Sequence, residues 1–379
     1  MKSKINFHLK AKMKIILLFT LITTAMAFVQ PSSPSLKYIA QRLSEKGKGI
    51  LAADESTATI GKRFDSIGVV NNLDNRFNYR NMLFTTPNLE KYISGAILYQ
   101  ETLEDTRLVD ELKHKGILLG IKVDQGLQLL PGSNNENWVS GMDTLAFKAK
   151  KAYDLGARFA KWRAVFKISN NQNLPTVQSI QENCWGLARY AKTVQEQGLV
   201  PIVEPEILMD GDHSLEQTRR IQEKILKQVY EYLEMNKVDL QGTLLKPSFT
   251  VPGIDYCVKY SPDQIASATL ETLRKTVPYS VPGIMFLSGG LSEAHATQIL
   301  NEMNKQKTTE AWNLSFSFGR ALQNSCLESW KGNEMNKAKA QQKLLKCAQA
   351  NSNATNATYN SESQDLQENK SLFVSEYSY

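Results

Sequence analysis

The chain has 379 residues, 42% of them hydrophobic and 22% charged, the composition of a folded soluble protein with room for one large domain or two ordinary ones. Its formal charge of +7 falls to +2 once the five lysines Lys2, Lys4, Lys10, Lys12 and Lys14 are set aside, and no basic stripe interleaved with aromatics argues for a nucleic-acid partner. The cysteines (Cys184, Cys257, Cys326, Cys347) lack CxxC spacing and the histidines (His8, His114, His213, His295) are isolated, so neither a disulfide framework nor a three-histidine zinc centre is expected.

Residues 1–27 read as a signal peptide: a lysine-rich start, the apolar run Ile15 to Ile22, then the small-residue pattern Ala25-Met26-Ala27. The run is shorter than the ~20 apolar residues that span a bilayer, so no stable membrane anchor is expected after signal removal. Met13 is an alternative start. Residues 28–35, Phe28 to Ser35, are rich in hydroxyls and free of acids. They resemble the transit part of the bipartite leader used for import into complex plastids. A plastid is the expected destination, with secretion or the endomembrane system as the alternative.

From Leu36 onward, helical patterns (Leu36 to Lys46, Thr144 to Leu155, Thr176 to Gln197, Leu215 to Met235) alternate with short apolar or β-rich runs. There are eight such runs: Gly49–Ser56, Gly95–Thr102, Ile117–Asp124, Phe159–Phe166, Leu199–Ile207, Gly242–Ser248, Gly283–Gly290 and Asn313–Arg320. The alternation predicts an α/β protein with a parallel sheet, and eight units fit a closed (β/α)8 TIM barrel over residues 36–349. An open doubly wound sheet is the second choice, since no GxGxxG turn follows the first strand. Residues 350–379 are rich in Asn, Ser, Gln and Glu and predict a mobile, flexible C-terminal tail, apolar enough at its end to reach the barrel.

In a barrel the carboxyl ends of the strands share one face. These runs end in Asp54, Glu55 and Ser56; Lys122 and Asp124; Lys161 and Arg163; Glu204 and Glu206; Lys246; Ser288, Gly289 and Gly290; and Ser317, Gly319 and Arg320. Pro247 stops the run that delivers Lys246, placing one lysine at the end of a buried strand, where a neutral amine can attack a carbonyl carbon. A neighbouring Lys161 would depress that amine's pKa, and Glu204 could carry its proton. Ser288, the glycines and Arg320 suit one phosphate, while Lys122, Ser56 and Arg63 suit a second anion. The pattern describes a carbonyl substrate with a phosphate at each end.

With these residues in place the chain closely resembles class I fructose-1,6-bisphosphate aldolase from about Leu36 to Tyr379. Seven ordered blocks carry the likeness: Gly47 to Thr57, Gly120 to Asp124, Phe159 to Arg163, Val200 to Leu208, Gly242 to Pro247, Phe286 to Gly290 and Phe316 to Gln323, with a terminal Tyr379. The resemblance implies reversible cleavage of fructose 1,6-bisphosphate to dihydroxyacetone phosphate and glyceraldehyde 3-phosphate through a lysine Schiff base, in glycolysis, gluconeogenesis or plastid carbon fixation. It implies Lys246 as the Schiff-base lysine, Lys161 as its neighbour, Glu204 as acid–base with Glu206 and Arg163 beside it, and Asp54 as the carboxylate that deprotonates the C4 hydroxyl. Tyr379 is implied in proton exchange at C3. Ser288, Gly289, Gly290, Ser317, Gly319 and Arg320 are implied at the C1 phosphate, and Ser56, Arg63 and Lys122 at the C6 phosphate. The iminium is the electron sink, so no metal or other cofactor is implied; the partners are small sugar phosphates, in a homotetramer.

Three positions depart from the common pattern: Gln125 for lysine, Phe318 for tyrosine, and Ala58-Thr59 for glycine-serine. The first and last bear on preference between the bisphosphate and fructose 1-phosphate. A transaldolase has no need of two phosphate grips, and a scaffold on the same fold has no need of Asp54, Lys161, Glu204 and Lys246 together. Asn353-Ala354-Thr355 and Asn356-Ala357-Thr358 match the glycan acceptor motif.

Overall fold

Side chains on a strand alternate between its two faces, so a strand buried on both must carry apolar residues throughout, except where one face opens on a site. The chain obeys this in β1 (Gly49–Ala53), β2 (Ile93–Leu98), β3 (Leu118–Lys122), β6 (Phe159–Phe166), β7 (Val200–Ile207), β8 (Leu244–Leu245), β9 (Gly283–Phe286) and β10 (Asn313–Phe318). All eight pair in parallel and close into a barrel in the order β1-β10-β9-β8-β7-β6-β3-β2. The antiparallel pair β4 (Leu127–Leu129) and β5 (Asn137–Val139) sits in the β3–β6 connection. The computed structural model describes residues 34–362, Leu366 and residues 371–375. The signal peptide expected at 1–27, all but the last two residues of the transit segment, and Tyr379 lie outside the described residues.

One strand parity gives Ile50, Ala52, Ile97, Phe159, Val200, Ile202, Leu244 and Met285, which form a single apolar cluster with Ile39, Ala40 and Leu43 of α1 (Leu36–Leu43). Helix α1 lies across the amino-end mouth. Ser94 donates to its Leu43 carbonyl at 2.6 Å, and Asn313 donates to the Ser44 carbonyl at 2.9 Å. A Cβ on Gly95 would meet the Leu43 side chain at 2.6 Å, and one on Gly120 would meet the Phe159 ring at 2.2 Å. Small residues at these two positions therefore make room for the floor of the barrel.

The opposite parity faces the surrounding helices in a second, larger cluster that includes the aromatic group Phe64, Tyr79 and Trp330, with ring centroids 5.4–5.8 Å apart. Each such side chain contributes roughly 1.5–3 kcal/mol by leaving water. Ser214 and Ser261 open the long helices Leu215–Met235 and Pro262–Thr276 with capping boxes, which satisfies amides that would otherwise lack partners.

One boundary moves. The tail expected from residue 350 begins later, because helix Lys337–Thr355 runs through that point with Ala350, Asn351, Ala354 and Thr355 buried. The small residues that read as tail composition are there because the helix packs closely on its neighbours. Thr355 also accepts from the Gly47 amide at 3.0 Å, so the first glycan motif lies partly in packed helix.

Candidate active site

Following the inner parity of each strand from floor to mouth, apolar residues give way to charge. Ile50 and Ala52 lead to Asp54, Phe159 to Lys161 and Arg163, Val200 and Ile202 to Glu204 and Glu206, and Leu244 to Lys246. Strand β8 is only two residues long, but the Lys246 amide still donates to the Val203 carbonyl at 2.8 Å. Pro247 has no N–H to carry the ladder on and offers only its carbonyl, which accepts from the Leu287 amide at 3.1 Å. Lys246 is thereby fixed at the strand's end and buried.

Four of the expected residues form one chain of charges. Lys246 Nζ lies 2.9 Å from Glu204 Oε1; Glu204 Oε2 lies 3.4 Å from Lys161 Nζ; and Lys161 Nζ lies 2.8 Å from Asp54 Oδ2. All four are at most 2% exposed. The carboxylate of Glu204 thus touches both amines. Burial by itself pushes the Asp54 carboxyl up, but the charges of Lys161 and Lys246, the hydrogen bond from Lys161 and the charge of Lys122 outweigh it and hold the group below its ordinary 3.8. Glu206 behaves alike: against burial, Arg163 and then Arg320 and Lys246 hold it below 4.5. Arg163 Nε donates to its Oε2 at 2.5 Å.

Beside Lys246 is a cavity lined by Glu204, Glu206, Leu287, Ser288, Gly289, Ser317, Gly319, Arg320, Ala52 and Arg63. The Ser317 hydroxyl is buried in its wall without a hydrogen-bond partner among the described residues. Gly289 and Gly290 have φ of +58° and +105°, a backbone that side chains on Cβ disfavour. A second, larger cavity contains Ser56, Lys122, Asp124 and Gln125, with Lys122 Nζ 2.7 Å from Asp124 Oδ1.

This separates residues that the sequence reading had grouped. Ser56 and Lys122 do share a cavity, but Arg63 lines the other one, across from Ser288 and with Arg320. Its position on helix α2 (Thr57–Asp65), two turns past Ser56, aims it towards β10 rather than β3. Asp124, partner of Lys122, and the Glu55 carboxylate, which accepts from Arg63, were visible only as strand-end charges. Of the departures, Gln125 lines the Lys122 cavity, Thr59 meets the Ser56 hydroxyl at 3.0 Å, and Phe318 is buried against Phe249 and Phe316, away from polar groups.

The described tail residues lie at the mouth. The Leu372 amide donates to the Gly290 carbonyl at 3.0 Å, the Leu372 carbonyl accepts from Arg320, and Ser375 donates to Asp210 at 3.0 Å.

A strand-end lysine buried against a carboxylate, at the carboxyl face of a closed parallel barrel and beside an anion-shaped cavity, defines a barrel enzyme built for covalent carbonyl chemistry. The family Fructose-bisphosphate aldolase class-I matches residues 35–379. Among similar proteins, "Fructose-bisphosphate aldolase 4, cytosolic" of Arabidopsis thaliana is 51% identical over 340 residues, 88% of this chain and 86% of that protein. "Fructose-bisphosphate aldolase 3, chloroplastic" of the same plant is 48% identical over 352 residues, 92% of this chain and 89% of that one. The solved fructose-bisphosphate aldolase from Plasmodium falciparum, in complex with TRAP and a small-molecule inhibitor, superposes with a TM-score of 0.85 at 48% identity, covering 86% of this chain and 95% of that one. The chain belongs to the class I fructose-bisphosphate aldolase family, carbon–carbon lyases that work through a Schiff base.

Lys161 is the shared counter-charge of two buried carboxylates, and replacing it by methionine leaves both without it. Asp54, with its folded pKa held down, contributes stability above its ordinary value that is lost as pH falls through the folded one. Lys161→Met should therefore lose roughly 3–5 kcal/mol near pH 7, as expected for breaking a buried ion pair. Because the Asp54 carboxyl, deprived of its nearest cation, takes up a proton more readily in acid, the gap to the parent should narrow towards pH 4. Urea unfolding at several pH values reads this, and a gap that widens on acidification would contradict it.

Proposed function

We propose that Lys246 is the amine that captures the C2 ketone of fructose 1,6-bisphosphate. The observation that carries the reading is its burial against Glu204 at 2.9 Å beside a cavity walled by Ser288, Ser317, Arg63 and Arg320. Glu204 takes a proton from Lys246, whose neutral amine adds to the ketone to give a carbinolamine; Glu204 returns the proton to the hydroxyl that leaves as water, and the iminium draws electrons from C3. Asp54, kept anionic by its cations, removes the C4 hydroxyl proton as the C3–C4 bond breaks and the aldehyde product forms. Protonation of the remaining enamine at C3, assigned by the resemblance to Tyr379, followed by hydrolysis, releases dihydroxyacetone phosphate. Arg163 orients Glu206 beside this chain, and Lys161 holds Asp54 and Glu204 in register.

Ser288, Gly289, Gly290, Ser317, Gly319 and Arg320, joined by Arg63, take the C1 phosphate in this proposal, and Ser56 and Lys122 the C6 phosphate. Fork-shaped arginine donors and glycine-rich backbone are the groups that bind phosphate oxygens well. Assembly of four copies belongs to the same proposal, and light scattering reads it directly.

Borohydride reduction in the presence of dihydroxyacetone phosphate should fix one adduct on Lys246, with EDTA in excess. Lys246→Ala should yield none and lose cleavage; retained activity without label would defeat the assignment. In the same assay, Glu204→Gln should lower kcat by about 10²–10⁴, the range for a lost general acid–base. Removal of Tyr379 should slow turnover of the bisphosphate while the adduct still forms.

The leader in residues 1–35 supports import into a plastid, where the reaction would serve carbon fixation; relatives of both chloroplastic and cytosolic description are similar to this chain. A fluorescent fusion of residues 1–60 should label plastids, and label confined to the medium would point to secretion instead.

A further inference from the structure

We propose that Glu55 and Arg80 are positioning residues for phosphate binding: together they set the Arg63 guanidinium at the wall of the Lys246 cavity. The proposal rests on the assignment of that cavity to the C1 phosphate.

Glu55 follows Asp54 at the end of β1, so alternation turns its side chain away from the barrel axis and towards the helices. It is 1% exposed. Its Oε1 accepts from Arg63 Nη1 at 2.5 Å, and its Oε2 accepts from Arg80 Nη2 at 3.2 Å. The same Arg80 nitrogen donates to the Glu55 backbone carbonyl at 3.1 Å, so this residue is tied at both ends. Arg80 sits in helix α3 (Leu73–Phe84) and is itself 1% exposed. Two guanidiniums share this one carboxylate. Arg80 is sealed in the protein, and Arg63 is the partner that reaches the cavity.

The direction of Arg63 is then set by geometry. A guanidinium is planar, and with Nη1 committed to Glu55 the rest of the fork is fixed. Its Nη2 lies 3.5 Å from where a Cβ on Gly319 would stand, next to Arg320. Gln323, on the helix that Arg320 begins, donates to the Ala52 carbonyl at 2.6 Å and accepts from the Tyr79 hydroxyl at 2.9 Å. This ties the Arg320 helix to α3, the helix that carries Arg80, so the two phosphate arginines share one frame. An arginine already immobilised loses little side-chain entropy on meeting its anion.

The test uses the two phosphates separately. In the condensation direction dihydroxyacetone phosphate carries only the C1 phosphate and glyceraldehyde 3-phosphate only the C6 phosphate. Glu55→Gln in the full chain should raise KM for dihydroxyacetone phosphate about tenfold, the effect of disturbing one charge-assisted hydrogen bond. It should leave KM for glyceraldehyde 3-phosphate within twofold and kcat within about threefold, a split that simple loss of folded protein does not produce. Arg80→Gln, which keeps Glu55 on Arg63, should show the same pattern more weakly and serves if Glu55→Gln folds poorly. A KM for dihydroxyacetone phosphate within twofold of the parent in both variants would reduce the cluster to a structural one, and a rise for glyceraldehyde 3-phosphate alone would put Arg63 at the other phosphate; either overturns the proposal. The borohydride adduct of the parent protein, measured first, tests the Schiff-base assignment separately.

Discussion

The molecule is arranged around the contact between Glu204 and its two lysines, and this contact is stable only under strict conditions. A carboxylate and two ammonium groups taken out of water are costly unless every charge meets its opposite. Asp54 completes the balance, so the formal charges of Asp54, Lys161, Glu204 and Lys246 sum to zero within a row of contacts no longer than 3.4 Å. No single element could supply that row. β6 and β7 carry Lys161 and Glu204, and Asp54 and Lys246 directly follow β1 and β8; the parallel register of a closed ring keeps these positions level.

The neighbouring charges follow the same accounting. Arg163 is paired with Glu206 and Lys122 with Asp124. Arg320 and, through the shared carboxylate of Glu55, the Arg63–Arg80 pair bring further guanidiniums to this end of the barrel. Two of them, Arg63 and Arg320, line the Lys246 cavity. On the proposed reading, a phosphate bound there competes with the Leu372 carbonyl for Arg320, because charge-assisted hydrogen bonds are the stronger.

Much of this was legible beforehand for a simple reason. A buried parallel strand has to be apolar on both faces, so Asp54, Lys161, Glu204 and Lys246 stand out as breaks in the pattern, and alternation puts them on one side. What escaped was whatever depends on packing between distant elements. Strands β4 and β5 are three residues each, too short for any periodicity to show. Arg63 lies on a helix whose Phe64 packs against Tyr79 and Trp330, and nothing local says which cavity it reaches. Arg80 has an ordinary helical context, and only the fold brings it to a carboxylate 25 positions away. The helix beyond residue 350 was hidden because its buried face is made of Ala, Asn, Ser and Thr, residues common in linkers but equally suited to close helix contacts.

Helix α1, wedged under the strands, makes the barrel a vessel with one opening. On the proposed mechanism, whatever is joined to Lys246 sits above this apolar floor, at the carboxyl ends of the strands. On that mechanism the half of the sugar not bonded to Lys246 leaves first, because the half joined to the lysine must wait for hydrolysis. The protons that finish the reaction must arrive by the same route, so the opening has to stay passable to water after the first product has left.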